Sequence, residues 1–133
     1  GVQTCALPIF VEPVEMPVIA KKINIYDIGL FILPPNNFNY EMALPNKFFE
    51  FIQARLMVAI GPSPEMAKYV KKYDLGIVAD SFEPQEMAKL LNKLTIDEIE
   101  YFKSNSNKPL SSAYLKSIAT SPLCVSFNSS ILL

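Results

Sequence analysis

Residues 26–80 read YDIGLFILPPNNFNYEMALPNKFFEFIQARLMVAIGPSPEMAKYVKKYDLGIVAD, and three short apolar runs punctuate them. Ile28–Leu33 (IGLFIL), Leu56–Ile60 (LMVAI) and Gly76–Asp80 (GIVAD) are almost continuously apolar. Runs of that length and composition suit strands buried on both faces. Between the first two, Pro34-Pro35-Asn36-Asn37 breaks the chain, and a loop is expected as far as Leu44. Pro45 can then start a helix, PNKFFEFIQAR. Between the second and third, Ser63 is placed to cap a helix with Pro64 at its first position; Met66, Val70 and Tyr69 supply its inner face. Alternation of this kind predicts an α/β domain: a Rossmann-like parallel sheet with flanking helices.

Outward from this stretch the same alternation continues. Residues 17–27 read as a helix with Pro17 in the first turn and Ile19, Ile23 and Tyr26 on one face. Pro84 starts another helix, whose stripe includes Met87, Leu90, Leu91 and Leu94. Thr95 and Glu98 have the spacing of a capping box, which predicts a last helix from Ile96 to about Phe102. Three strands are fewer than a complete doubly wound domain carries. The sheet is therefore expected to be the later part of one.

The ends differ from the middle. Gly1–Ile9 (GVQTCALPI) has no charge and no amphipathic period, and it resembles the translation of a sequencing-library adapter. It lacks the basic start of a signal peptide. Pro109–Leu133 carries Lys116 as its one charge and is rich in serine, with weak strand character over 121–127. The expected organisation is a non-native segment at 1–9, a partial nucleotide-sugar-binding domain at 10–108, and a tail of doubtful authenticity at 109–133.

Composition removes several functions. The 133 residues contain 12 Lys plus Arg, 13 Asp plus Glu and no His, for a formal charge of -1. There is no basic field for nucleic acid, no histidine-dependent triad and no histidine zinc site in this chain. The two cysteines, Cys5 and Cys124, form no metal-binding pair. No apolar run is long enough to cross a membrane.

Ligands of open parallel sheets bind beyond the carboxyl ends of the strands, here loops 34–44, 61–63 and 81–83. In the first, a helix beginning at Pro45 would have Leu44 as its N-cap, without a side-chain acceptor. The amides of Asn46 and Lys47 and the Lys47 ammonium would then suit an anion. A cap supplied by water, Asn39 or Glu41 is the plainer alternative. Glu50 stands among Phe48, Phe49, Phe51 and Ile52; if buried it needs donors, such as the hydroxyls of a ribose. Otherwise it lies on a wet face beside Lys47.

These residues carry a resemblance. Asp27-Ile28-Gly29-Leu30, the block Leu44-Pro45-Asn46-Lys47-Phe48-Phe49-Glu50, and the later strand Gly76–Asp80 resemble the donor-binding domain of GT-B glycosyltransferases. The similar group builds bacterial surface polysaccharides, and the likeness spans about residues 11–103. It implies a two-domain retaining enzyme that moves a sugar from a UDP, GDP or dTDP donor to a glycan or lipid-linked acceptor. No bound cofactor or metal is implied. By position, Glu50 would hold the donor ribose, and Ala43, Leu44, Asn46 and Lys47 would lie beside the diphosphate. The family's first glutamate, eight residues before Glu50, is Met42 here; the adjacent Glu41 is the candidate for its catalytic, sugar-contacting role.

The acceptor domain and the first strands of the donor domain are absent from this sequence, so the 133-residue chain is expected to be inactive by itself. A cytoplasmic location follows from the resemblance, with a peripheral place at the inner membrane face for the full-length parent. Three other functions stay open: a sugar-nucleotide epimerase on the same fold, a catalytically silent binding or scaffold module, and an unrelated α/β protein such as a receiver-like domain. The cluster Lys68, Lys71 and Lys72 reads as a solvated helix face.

Overall fold

The computed structural model describes residues 10–106. The expectations for Gly1–Ile9, for the tail from Pro109 and for both cysteines lie outside the described residues.

A parallel sheet of three strands forms the centre, in the order β1 (Ile28–Phe31), β2 (Met57–Ile60), β3 (Gly76–Val78). Gly29 pairs with Val58 across β1–β2, and Val58 with Gly76 across β2–β3. All four residues of β2 are fully buried, as a central strand covered on both faces requires. Its side chains alternate between two cores. Val58 and Ile60 join Phe48, Phe49 and Ile52 of α3 (Asn46–Gln53) and Met66 and Val70 of α4 (Pro64–Tyr73). Ala59 points the other way, to Ala79 and Met87 of α5 (Pro84–Leu91).

This layering follows from connectivity. Strands in sequential order with the same crossover hand place both crossover helices on one face, and α3 and α4 do share one core. After β3 the chain turns to the opposite face. The result is a small Rossmann-like parallel sheet flanked by helices.

Two glycines are required by close approach. A Cβ on Gly29 would enter the ring of Phe51, so the missing side chain lets α3 settle on β1. Gly76 has φ of 157°, and a Cβ there would collide with the Val58 carbonyl in the neighbouring strand.

Several boundaries differ from expectation. The helix foreseen over 17–27 is a 3-10 turn, Met16–Val18, followed by the short α1, Ile19–Ile23. Tyr26 lies outside it, because the chain turns through Tyr26 N–H to Ile23 O, and Asn24 Nδ2 donates to Ala54 O at 2.7 Å. Strands β1 and β3 stop two residues early, at Phe31 and Val78. The segment 34–44, expected to be a loop, contains a one-turn helix, α2 (Phe38–Glu41). The last helix, α6 (Ile96–Asn105), has the foreseen capping box and runs three residues further than Phe102.

The C-terminal end of α6 supports the beginning of the sheet. Ser106 Oγ donates to Leu56 O at 3.2 Å, Asn105 Nδ2 to Asp74 O at 3.0 Å, and Lys103 pairs with Asp27 at 2.9 Å. Among the described residues no helix is long and apolar enough to cross a membrane.

Candidate functional site

The site foreseen from sequence is organised by the breaker after β1. Asn37 caps α2, its side-chain oxygen accepting from Tyr40 N–H at 2.9 Å. Asx residues compete for backbone donors in this way and nucleate turns. The turn brings the chain back through Ala43, whose N–H donates to Tyr40 O at 3.4 Å, to buried Leu44 and the start of α3.

The start of α3 lies one residue later than foreseen. Pro45, with φ -72° and ψ 152°, is the N-cap and Asn46 is the first helical residue. Leu44 is therefore not the cap, and its side chain is only 3% exposed, packed with Phe48 and Phe49. Burial of a leucine fixes the entry of the helix and moves the cap to the proline. The conclusion about capping survives the shift, since Pro45 has no side chain to accept from the first turn. Neither Asn39 nor Glu41 folds back to do so. Phe48 N–H turns to Pro45 O at 3.0 Å; the amides of Asn46 and Lys47 precede it at the positive end of the helix dipole.

The side chains around this start are unequal. Lys47 is exposed, with Nζ 5.9 Å from the centroid of the Phe31 ring, the last residue of β1. That contact holds the ammonium over the carboxyl end of the strand. In the sequence Phe31 reads as one more apolar strand residue, with nothing to mark it as a neighbour of Lys47. Asn46 is half-buried.

Glu50, one turn further along α3, is half-buried as well, and burial raises its carboxyl above the ordinary value of 4.5. The charge of Lys47 opposes that shift without overcoming it. No described residue donates a hydrogen bond to the Glu50 carboxylate, and none forms an ion pair with it. A partly desolvated carboxylate without a donor is a group prepared for hydroxyl or amine donors from outside.

Glu41 stands apart. It is exposed at the end of α2, its N–H bonded to Asn37 O at 3.1 Å. Nothing among the described residues joins its carboxylate to Lys47 or Glu50. Met42, at the place where the resemblance calls for a carboxylate, is half-buried at the end of the same turn.

The other two loops at this end of the sheet close on each other. The ring of Phe82 lies so close over Gly61 that a Cβ there would strike it. Ser81 Oγ accepts from Glu83 N–H at 3.3 Å and fixes that turn. Loop 34–44 presents polar groups beside the start of α3. Among the described residues no three carboxylate or thiol groups gather as a metal site would need.

Comparison with protein-family models, with curated proteins and with solved structures returns no match.

Proposed function

We propose that this chain is part of the donor-binding half of a glycosyltransferase that uses a nucleotide-diphosphate sugar. One observation carries the reading: a half-buried carboxylate, Glu50, with no donor of its own, one turn inside a helix whose first turn has no capping side chain. A nucleoside diphosphate satisfies both needs at once. Its ribose hydroxyls donate to the Glu50 carboxylate, and its diphosphate takes the first-turn amides and the Lys47 ammonium. The resemblance of the 44–50 block to the donor site of GT-B enzymes supports the same assignment.

In the parent protein the reaction would transfer a sugar from a UDP, GDP or dTDP donor to a glycan or lipid-linked acceptor. Glu41 would reach the sugar from the α2 turn, in place of the carboxylate that Met42 replaces. Transfer requires an acceptor oriented against the donor carbon, and the 41–50 segment would act on the donor side. Met42 also favours a second reading, a module that binds the sugar nucleotide without turning it over.

The test is an NMR titration of the 133-residue chain with UDP-, GDP- and dTDP-hexoses, following backbone amides. The expected result is saturable shifts at Asn46, Lys47 and Glu50 with one base preferred, at millimolar affinity or tighter, on the order of 4 kcal/mol. Glu50→Ala is expected to weaken binding about tenfold while leaving the fold intact. Shifts that ignore Glu50→Ala, or none at about 10 mM donor, would remove the ribose and diphosphate assignments.

A further inference from the structure

A second concavity lies at the same end of the sheet, away from α3. It is a cleft of about 450 Å³ between the outer flank of α4 and the end of β3, where Pro64, Ala67, Lys68 and Lys71 face Val78 and Asp80. Its size is in the range of small-molecule sites. The α4 residues involved recur at helical spacing, so one face of the helix forms one wall. Lys72, which sequence grouped with these lysines, goes elsewhere, to the ring of Tyr73 at 5.0 Å.

The charges in this cleft are not used by the protein. Lys68, Lys71 and Asp80 have no ion-pair or hydrogen-bond partner among the described residues. Lys68 and Lys71 are neighbours on one face, an arrangement whose mutual repulsion an anion between them relieves. The N-cap of α4, Ser63, makes no capping bond and its buried Oγ has no hydrogen-bond partner among the described residues, but Ser63 does not line the cleft. Glu65, the acidic residue of the first turn, does not line the cleft.

We propose that this cleft binds a small phosphorylated polyol, with the phosphate between Lys68 and Lys71 and a hydroxyl donating to the Asp80 carboxylate. Two ammonium groups on one face of α4 match a dianion with several acceptor oxygens. Asp80 repels a bare anion and attracts one that carries a hydroxyl donor within reach, so it selects the ester over free phosphate. Pro64, Ala67 and Val78 give the carbon skeleton an apolar floor. The inference stands apart from the nucleotide-sugar reading, because it uses another helix and another pair of strand ends.

The experiment titrates the 133-residue chain with glycerol 3-phosphate, and separately with inorganic phosphate, while recording backbone amide shifts. Glycerol 3-phosphate is expected to give saturable shifts at Ala67, Lys68, Lys71, Val78 and Asp80, and to bind several-fold more tightly than phosphate. The variant Lys68→Gln/Lys71→Gln is expected to weaken it about tenfold or more, at least the scale of one charge-assisted hydrogen bond. Asp80→Asn should erase the preference over phosphate, and Lys93→Gln, at an exposed position outside both sites, should leave glycerol 3-phosphate binding unchanged. Absence of saturable shifts at about 10 mM, insensitivity to the double lysine variant, or equal affinity for phosphate overturns the proposal. The surface substitutions are far from the core, and the unchanged amide spectrum of each variant verifies its fold.

Discussion

Arg55 has φ of 63°, in the left-handed region where a residue with a Cβ pays about 1–2 kcal/mol. It ends α3 with two bonds: Arg55 N–H donates to Ile52 O at 3.1 Å, and Leu56 N–H to Phe51 O at 3.0 Å. Glycine is the usual occupant of such a position. Arg55 recovers part of the cost through Nη1, which donates to Gln53 O at 2.9 Å. Arg55→Gly is expected to stabilise the chain by about 0.5–1 kcal/mol, read as a higher urea midpoint with an unchanged slope.

Glu50 makes a pH prediction at the same scale. Its carboxyl is raised by burial above 4.5, so the folded chain holds that proton more tightly than the unfolded chain does. The stability this provides is complete below about 4.5 and is lost as pH rises through the folded value. Glu50→Gln is therefore expected to be more stable than the parent chain at about pH 7, and to lose that advantage by about pH 3. Urea midpoints across pH measure the difference; a constant gap would show that burial does not perturb Glu50.

At the scale of elements, the helix starts and stops separate what local sequence encodes from what it does not. The capping box of α6 is entirely local: Thr95 N–H donates to a Glu98 carboxylate oxygen at 2.8 Å, and Thr95 Oγ1 accepts from Glu98 N–H at 3.3 Å. These bonds hold the Glu98 carboxyl below its ordinary value. Thr95→Ala is expected to cost about 1 kcal/mol, with the loss smaller in acid, where Glu98 is protonated. Ser63 and Pro64 also occupy their foreseen positions, yet Ser63 makes no capping bond. Residue type licenses a cap; backbone ψ and side-chain burial decide whether the bond forms. The α2 turn is hidden in the sequence for a similar reason. In the sequence Asn37 reads as part of a breaker, although the same side chain that stops a strand can cap the next turn.

Over the whole molecule, β2 is the strand paired on both sides and buried on both faces. Its amides are expected to exchange last with deuterium, with β1 and the segment before it exchanging earlier. Phe48 of α3, fully buried in the core with Val58 and Ile60 of β2, is a demanding position. Phe48→Ala is expected to cost about 3–5 kcal/mol, a large part of the roughly 5–15 kcal/mol of a typical domain. A melting temperature lowered by only a degree or two would mean that the core relaxes into the space.

What the amino-acid sequence determined by itself was the alternation of strands and helices. Apolar runs, prolines at helix starts and a capping box act within a few residues, so their physics is readable locally. It also indicated loop 34–44 and Glu50, because a carboxylate among phenylalanines is conspicuous in the sequence. The tertiary structure decided the rest. It shortened α1 by drawing Asn24 to Ala54, moved the α3 cap from Leu44 to Pro45 by burying the leucine, and set Lys47 over Phe31. It also divided Lys68 and Lys71 from Lys72, since only packing against β3 determines which flank of α4 borders a cleft. Contacts between residues distant in the chain depend on how the layers meet, and no local pattern encodes that.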